Sequence, residues 1–106
     1  MSAKTEPTFD EVVHAPHRLK SLALLSGAES VEFGVLRDHL GVADSVASKQ
    51  LKVLVDAGYA QLDKPLGQSG RARTWVRITP TGRRALDGHL AALRADSVAH
   101  MTARLD

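Results

Sequence analysis

Apolar side chains recur along this chain in two rhythms, and the switch between them marks out its elements. Over residues 16–26, Leu19, Leu22, Ala23 and Leu25 fall at helical spacing, which predicts a helix with one face on a core. Pro16 suits the first turn of that helix, and Gly27 supplies its stop. Ahead of it, Phe9, Val12 and Val13 form a turn expected to pack on the same core. Phe33, Leu36 and Leu40 give a second helix over 33–40, ended by Gly41, and the connector Glu29–Phe33 has room for a minimal strand. A third helix is predicted over Asp44–Ala57, with Asp44 as N-cap for its free backbone N–H groups and Gly58 as its end.

The rhythm then changes to alternation. Ala60, Leu62, Val76 and Ile78 are expected to point inward, and Gln61, Asp63, Trp75 and Arg77 outward. These two segments flank the glycine-rich stretch Leu66–Arg71, which predicts a hairpin over 59–78. Thr79 as N-cap and Pro80 at the first position open a last helix over 80–103. On it Leu86, Leu90, Leu93, Ser97 and Met101 lie near one face.

Residues 1–8 are expected to be a flexible tail, and 9–106 one domain of ordinary size, mainly α with a small β-hairpin. Two short helices across a glycine-containing turn make residues 33–57 a helix-turn-helix. A chain this small cannot bury both faces of so long a last helix. That helix is therefore expected to pair with its counterpart across a two-fold axis, giving a homodimer. The chain has no cysteine, which excludes disulfides, thiolate metal sites and a cysteine nucleophile, and fits a reducing cytoplasm. It has no apolar run long enough to span a bilayer, and its first residues lack the apolar stretch expected of a secretory leader.

A net charge of +2 says little until it is resolved along the chain. Residues 1–43 carry four basic and six acidic side chains, and residues 85–106 carry two and three. Residues 44–84 carry eight basic and three acidic ones, so the positive charge gathers where a polyanion surface would need it.

The third helix divides on a helical wheel. Ala47, Leu51, Leu54 and Val55 share one face, and Ser45, Ser48, Lys49, Lys52 and Asp56 the other, with Val46, Gln50 and Val53 along a flank. A helix lying in the major groove of double-stranded DNA needs such a division, with one face anchored and the other carrying short polar and basic groups. Ser45 and Ser48 allow close approach. Lys49 suits a guanine edge or a phosphate, Gln50 an adenine, and Val46 a thymine methyl. Lys52, Arg71 and Arg73 are placed to grip the backbone, the two arginines from the hairpin loop. Arg83 and Arg84 suit a phosphate contact or a pairing with nearby acids, and Trp75 suits bracing the hairpin or meeting a dimer partner.

At these residues the chain resembles the winged-helix DNA-binding domain of small MarR/ArsR-like bacterial transcriptional regulators. The resemblance is carried by His14–Arg18, Phe33–Gly41, Ala47–Tyr59 and Ile78–Leu86, and covers roughly residues 8–95. It implies a winged helix-turn-helix that binds specific DNA, usually as a homodimer. Together with the basic loop it points to a transcriptional regulator, a repressor, with room for a small-molecule effector of unknown kind.

Two other readings compete. Asp87-x-His89 followed by His100 is similar to the pattern with which some ArsR-type zinc sensors bind metal, but Ala103 stands where they have a fourth ligand. The alternative is that these are surface histidines on a dimer helix, with no cofactor. A winged helix can also serve as a protein-interaction module, because fold does not fix function. No nucleophile elbow or phosphate-cradling loop supports an enzyme.

Overall fold

In a computed structural model, residues 5–63 and 73–105 are described, with side chains of the last helix through Ser97. The elements are α1 (Glu11–His14), α2 (Pro16–Ser26), β1 (Val31–Glu32), α3 (Phe33–Leu40), α4 (Asp44–Asp56), β2 (Ala60–Asp63), β3 (Trp75–Ile78) and α5 (Pro80–Leu105). The strands form one antiparallel sheet in the order β1-β3-β2. Leu62 stands opposite Val76, and Val31 takes that residue's other side. The small connector strand thus completes the hairpin into a three-stranded sheet.

Local chemistry sets most of these boundaries. The Asp10 carboxylate caps α1 by accepting from the Val13 N–H at 3.1 Å. Pro16 starts α2, and the Glu32 carboxylate accepts from the Gly34 N–H to cap α3. Gly41 ends α3 with φ at 68°, a left-handed conformation that glycine adopts without a Cβ penalty. Asp44 does not cap α4 as the sequence suggested. Ala43 takes the cap position without a side-chain bond, and Asp44 is the first helical residue. Its carboxylate lies 2.7 Å from the Arg37 guanidinium, which draws it away from the helix end and across the turn.

The core is a single cluster in which Leu22, Leu25, Leu36, Leu54 and Val76 are fully or almost fully buried. Each fully buried aliphatic side chain contributes about 2 kcal/mol of transfer free energy. Three expectations need correcting. Ala23 faces solvent, whereas Leu25 is fully buried. Phe9 is half exposed, while Val13 provides the contact from α1. Leu62, expected inward, is 41% exposed, because the inner face of β2 there opens into a groove beside α4 instead of lying beneath it.

The tightest contact joins the two ends of the hairpin. Thr79 donates its backbone N–H to the Tyr59 carbonyl (3.1 Å) and its hydroxyl to the Gly58 carbonyl (2.6 Å). The same hydroxyl accepts from the Gly82 N–H at 2.9 Å, which is the expected cap of α5. Gly58 itself sits at φ 81°. A Cβ on Gly82 would lie 2.1 Å from the Tyr59 carbonyl oxygen, inside contact distance of backbone that cannot swing aside.

Gly82→Ala is therefore expected to destabilise the fold by about 3 kcal/mol, the upper range for overpacking, despite alanine's better helix propensity. Gly88, also in α5, has its nearest backbone atom at 3.2 Å from such a Cβ. Gly88→Ala should stay within about 1 kcal/mol of the parent. Urea unfolding of the two variants checks this, and equal losses would contradict it.

Candidate nucleic-acid interface

Helix α4 is held from behind and bare in front. Ala47, Leu51 and Leu54 are buried, while Ser45, Ser48, Lys49 and Lys52 are exposed and Val46 is marginally so. Five of the six residues proposed for contact on this helix thus share one open surface.

Gln50 differs. It is only partly exposed, and its side-chain oxygen accepts from Arg18 Nη1 at 2.9 Å. The Arg18 Nε donates to the Val12 carbonyl at 2.6 Å, so one guanidinium ties α4 to α1. Gln50 is therefore turned toward α2 and its carbonyl is occupied, which removes the paired hydrogen bonds an adenine would need.

Both acids on α4 are engaged by cations. Asp44 is engaged by Arg37, which also bonds Asp38 at 3.0 Å. These two carboxylates hold the Arg37 guanidinium well above its ordinary pKa, the Asp44 bond first. Lys52 and Asp56 form an i,i+4 pair at 3.0 Å, with both side chains largely in water. Such a pair is worth only a few tenths of a kcal/mol, so the ammonium can turn to a phosphate at small cost. Among the described residues Lys49 makes no ion pair.

The hairpin stands beside this helix. A groove of about 480 Å³ runs between α4 and the sheet, with Ser48 and Lys52 on one bank and Leu62 and Thr74 on the other. Arg73 is exposed just ahead of β3, and the Asp63–Arg77 pair (3.0 Å) ties β2 to β3. Arg71 lies outside the described residues. Arg83 donates to the Ser26 carbonyl at 3.0 Å, a structural contact made with backbone and not with the nearby acids expected. Trp75 is partly exposed opposite Asp63 and Glu32.

A polar cluster between α1 and α5 had no signal in the sequence, because its members are far apart in the chain. His89, foreseen on the surface or as a zinc ligand, is 0% exposed. Its Nδ1 accepts from the Asp10 backbone N–H at 3.0 Å, and its Nε2 lies 3.1 Å from His14 Nδ1. Both ring nitrogens are thereby engaged within the chain. The His100 side chain lies outside those described. Phe9 packs on both imidazoles, and Tyr59 donates its hydroxyl to the second Asp10 oxygen at 2.5 Å.

Comparison with known proteins agrees with this architecture. The family described as winged helix DNA-binding domain matches residues 17–95. An uncharacterised protein of Methanocaldococcus jannaschii is 36% identical over 82 residues, 77% of this chain and 84% of that protein. A transcriptional regulator homologue from Pyrococcus horikoshii superposes with a TM-score of 0.77 at 22% identity, covering 85% of this chain and 88% of that one. A MarR-family transcriptional regulator from Silicibacter pomeroyi gives a TM-score of 0.64 at 25% identity, over 79% of this chain and 55% of that one.

The Asp10 contact sets the ionisation of the only tyrosine. Its hydrogen bond to the carboxylate, then burial, lift the Tyr59 pKa from 10.0 to about 12. Absorbance titration should show phenolate forming only near that pH, and Asp10→Asn should bring it back toward 10. An unshifted tyrosine in the parent protein would contradict the contact.

Proposed function

This chain belongs to the winged helix DNA-binding domain family, and we propose that it acts as a sequence-specific transcriptional repressor that binds double-stranded DNA as a homodimer. Its family is one of DNA binding rather than catalysis. The observation that carries the reading is the exposed face of α4, where Ser45, Ser48, Lys49 and Lys52 stand together while the acids of the same helix are engaged by Arg37 and Lys52. Small hydroxyls at the N-terminal end admit the groove wall to close range, where the helix dipole favours a phosphate. Lys49 and Val46 follow on the same turn as readers of base edges. Lys52, with Arg71 and Arg73 of the wing, grips the backbone. Gln50 drops out of the base-reading set, and the remaining seven residues stand as proposed contacts.

The homodimer rests on α5. Leu86 is 3% exposed in the chain's own core, so it is withdrawn from the proposed interface. Leu90, 39% exposed, with Leu93 and Ser97 beyond it, leaves a face for a second copy. Met101, proposed for the same face, lies outside the described side chains. Two copies related by a two-fold axis would present their α4 helices to half-sites about 34 Å apart. A promoter occupied in this way is closed to polymerase, which is the basis for reading the protein as a repressor. A small-molecule effector has a candidate seat in the cleft of about 560 Å³ between residues 5–10 and α5, lined by Asp10, Tyr59, Arg84 and Asp87. Among the described residues no helix is long and apolar enough to cross a membrane, and we place the protein in the cytoplasm.

Binding to mixed-sequence duplex at low salt tests the reading. Lys49→Ala should weaken binding and relax sequence choice. Arg73→Ala should weaken it evenly across sequences and reduce the salt slope by about 1. Ser48→Glu should be worse than either, since it sets a carboxylate against phosphates. No binding by the parent chain, or three variants indistinguishable from it, would overturn the proposal. Sedimentation should show a dimer at micromolar concentration and a monomer for Leu90→Glu. A monomeric parent would remove the two-fold arrangement.

A further inference from the structure

We propose that the contact between exposed His14 and fully buried His89 is a proton-operated joint: neutral, it clamps α1 onto α5, and protonated, it opens and loosens the seat of α4 through Arg18, so that DNA binding weakens in mildly acidic solution. The DNA part of this rests on the function proposed above, whereas the joint itself does not.

Proton positions follow from the donors. The Asp10 backbone N–H always donates, so His89 Nδ1, 3.0 Å away, must be bare. A neutral ring then carries its proton on Nε2, which faces His14 Nδ1 at 3.1 Å and makes that nitrogen the acceptor. His14 in turn is protonated on Nε2. The opposite arrangement would require His89 to accept at both nitrogens, and a neutral imidazole cannot do that. A further proton therefore has no place. On His89 it would sit at Nδ1 against the Asp10 N–H, and on His14 at Nδ1 against the His89 N–H.

The surroundings act in the same direction. Elements α1 and α2 pack on α5 near this site. Their titratable groups are Asp10 at the cap, Glu11 and His14 from α1, and His17, Arg18 and Lys20 from α2. Tyr59 reaches the site only through Asp10. Burial is the largest influence on His89 and lowers its proton affinity; His14 lowers it further, and the Asp10 carboxylate offsets part of this. The folded state thus binds this proton less readily than the unfolded chain. The stability it contributes is whole above about pH 6.5 and is lost as the pH falls through the lowered value of folded His89.

Transmission to α4 runs through two hydrogen bonds of one side chain. Asp10 and His14 bracket α1, whose Val12 carbonyl is held by Arg18 Nε at 2.6 Å. The same guanidinium holds Gln50 of α4 at 2.9 Å. Displacement of α1 therefore pulls on a side chain that helps, beside the buried Ala47, Leu51 and Leu54, to seat the helix proposed to read DNA.

The control is a matter of sign. Protonating exposed histidines such as His39 adds positive charge and strengthens phosphate binding, so a loss of affinity on acidification cannot come from them. Affinity for mixed-sequence duplex DNA and the unfolding midpoint should be measured at pH 7.5 and 5.5, at one ionic strength, for the full chain, His89→Asn and Arg18→Met. The parent should lose up to about tenfold in affinity for each pH unit over which one proton is taken up, and its midpoint should fall. His89→Asn should show no acid loss of affinity and a smaller fall in midpoint than the parent. Arg18→Met should keep the fall in midpoint and lose most of the fall in affinity. Ring-proton NMR of the parent needs no variant, and His89 should titrate below 6.5 together with the opening of its contact to His14. Affinity that is flat or rises on acidification, or an ordinary His89 titration, would overturn the joint. An unchanged acid loss in Arg18→Met would overturn the relay. Failure of the parent to bind DNA at pH 7.5 would instead overturn the function proposed above, leaving the joint to be judged by unfolding and NMR.

Discussion

The first turn of α5 lies against the Tyr59 carbonyl at a distance only glycine allows, and the rest of the structure is arranged around that contact. Four segments meet there: the end of α4, the start of β2, the end of β3 and the start of α5. Thr79 fastens them by bonding both Gly58 and Tyr59 while capping its own helix. A long helix leaving such a junction cannot pivot without breaking backbone hydrogen bonds. The angle between the α5 helix and the α4 helix is therefore fixed by main-chain geometry, and side-chain packing only refines it. For a protein proposed to place two α4 helices at a set spacing, that rigidity is what turns a dimer into a ruler.

The same junction joins two of the four stretches that carry the resemblance. Ala57-Gly58-Tyr59 and Thr79-Pro80-Thr81-Gly82 are the two halves of one joint. Gly58 provides a left-handed turn, Tyr59 a carbonyl and a hydroxyl, Thr79 a cap and two bonds, and Gly82 the absence of a Cβ. Each is required by its neighbour across the joint.

Much of the fold was legible because it is written in local chemistry. The bounds of α2 and α3, the strands of the hairpin and the Thr79 cap follow from spacing, proline and glycine. Misreadings arose where a distant partner decided. Asp44 has the chemistry of a cap, but Arg37 from the preceding helix claims its carboxylate. Leu62 alternates correctly, yet α4 does not extend over it. Gln50 lies on the flank the wheel gave it, and Arg18, 32 residues earlier, turns it away from the open face. Leu86 has the spacing of an interface residue, but the first turns of α5 are the part that packs on the chain's own core.

By itself, then, the sequence determined the periodicity of the helices, the alternation of the hairpin, and the division of α4 into a buried face and a basic one. These depend on residues within a few turns of one another, where helical and pleated geometry fix the neighbours. The tertiary structure alone decided which polar groups remain free. It paired the acids of α4, tied Gln50 to Arg18, and brought Asp10, His14 and Tyr59 into one hydrogen-bonded network around buried His89. The reason is that burial and hydrogen bonding depend on what packs opposite. For His89, the deciding partners lie 75 and 79 residues away in the chain.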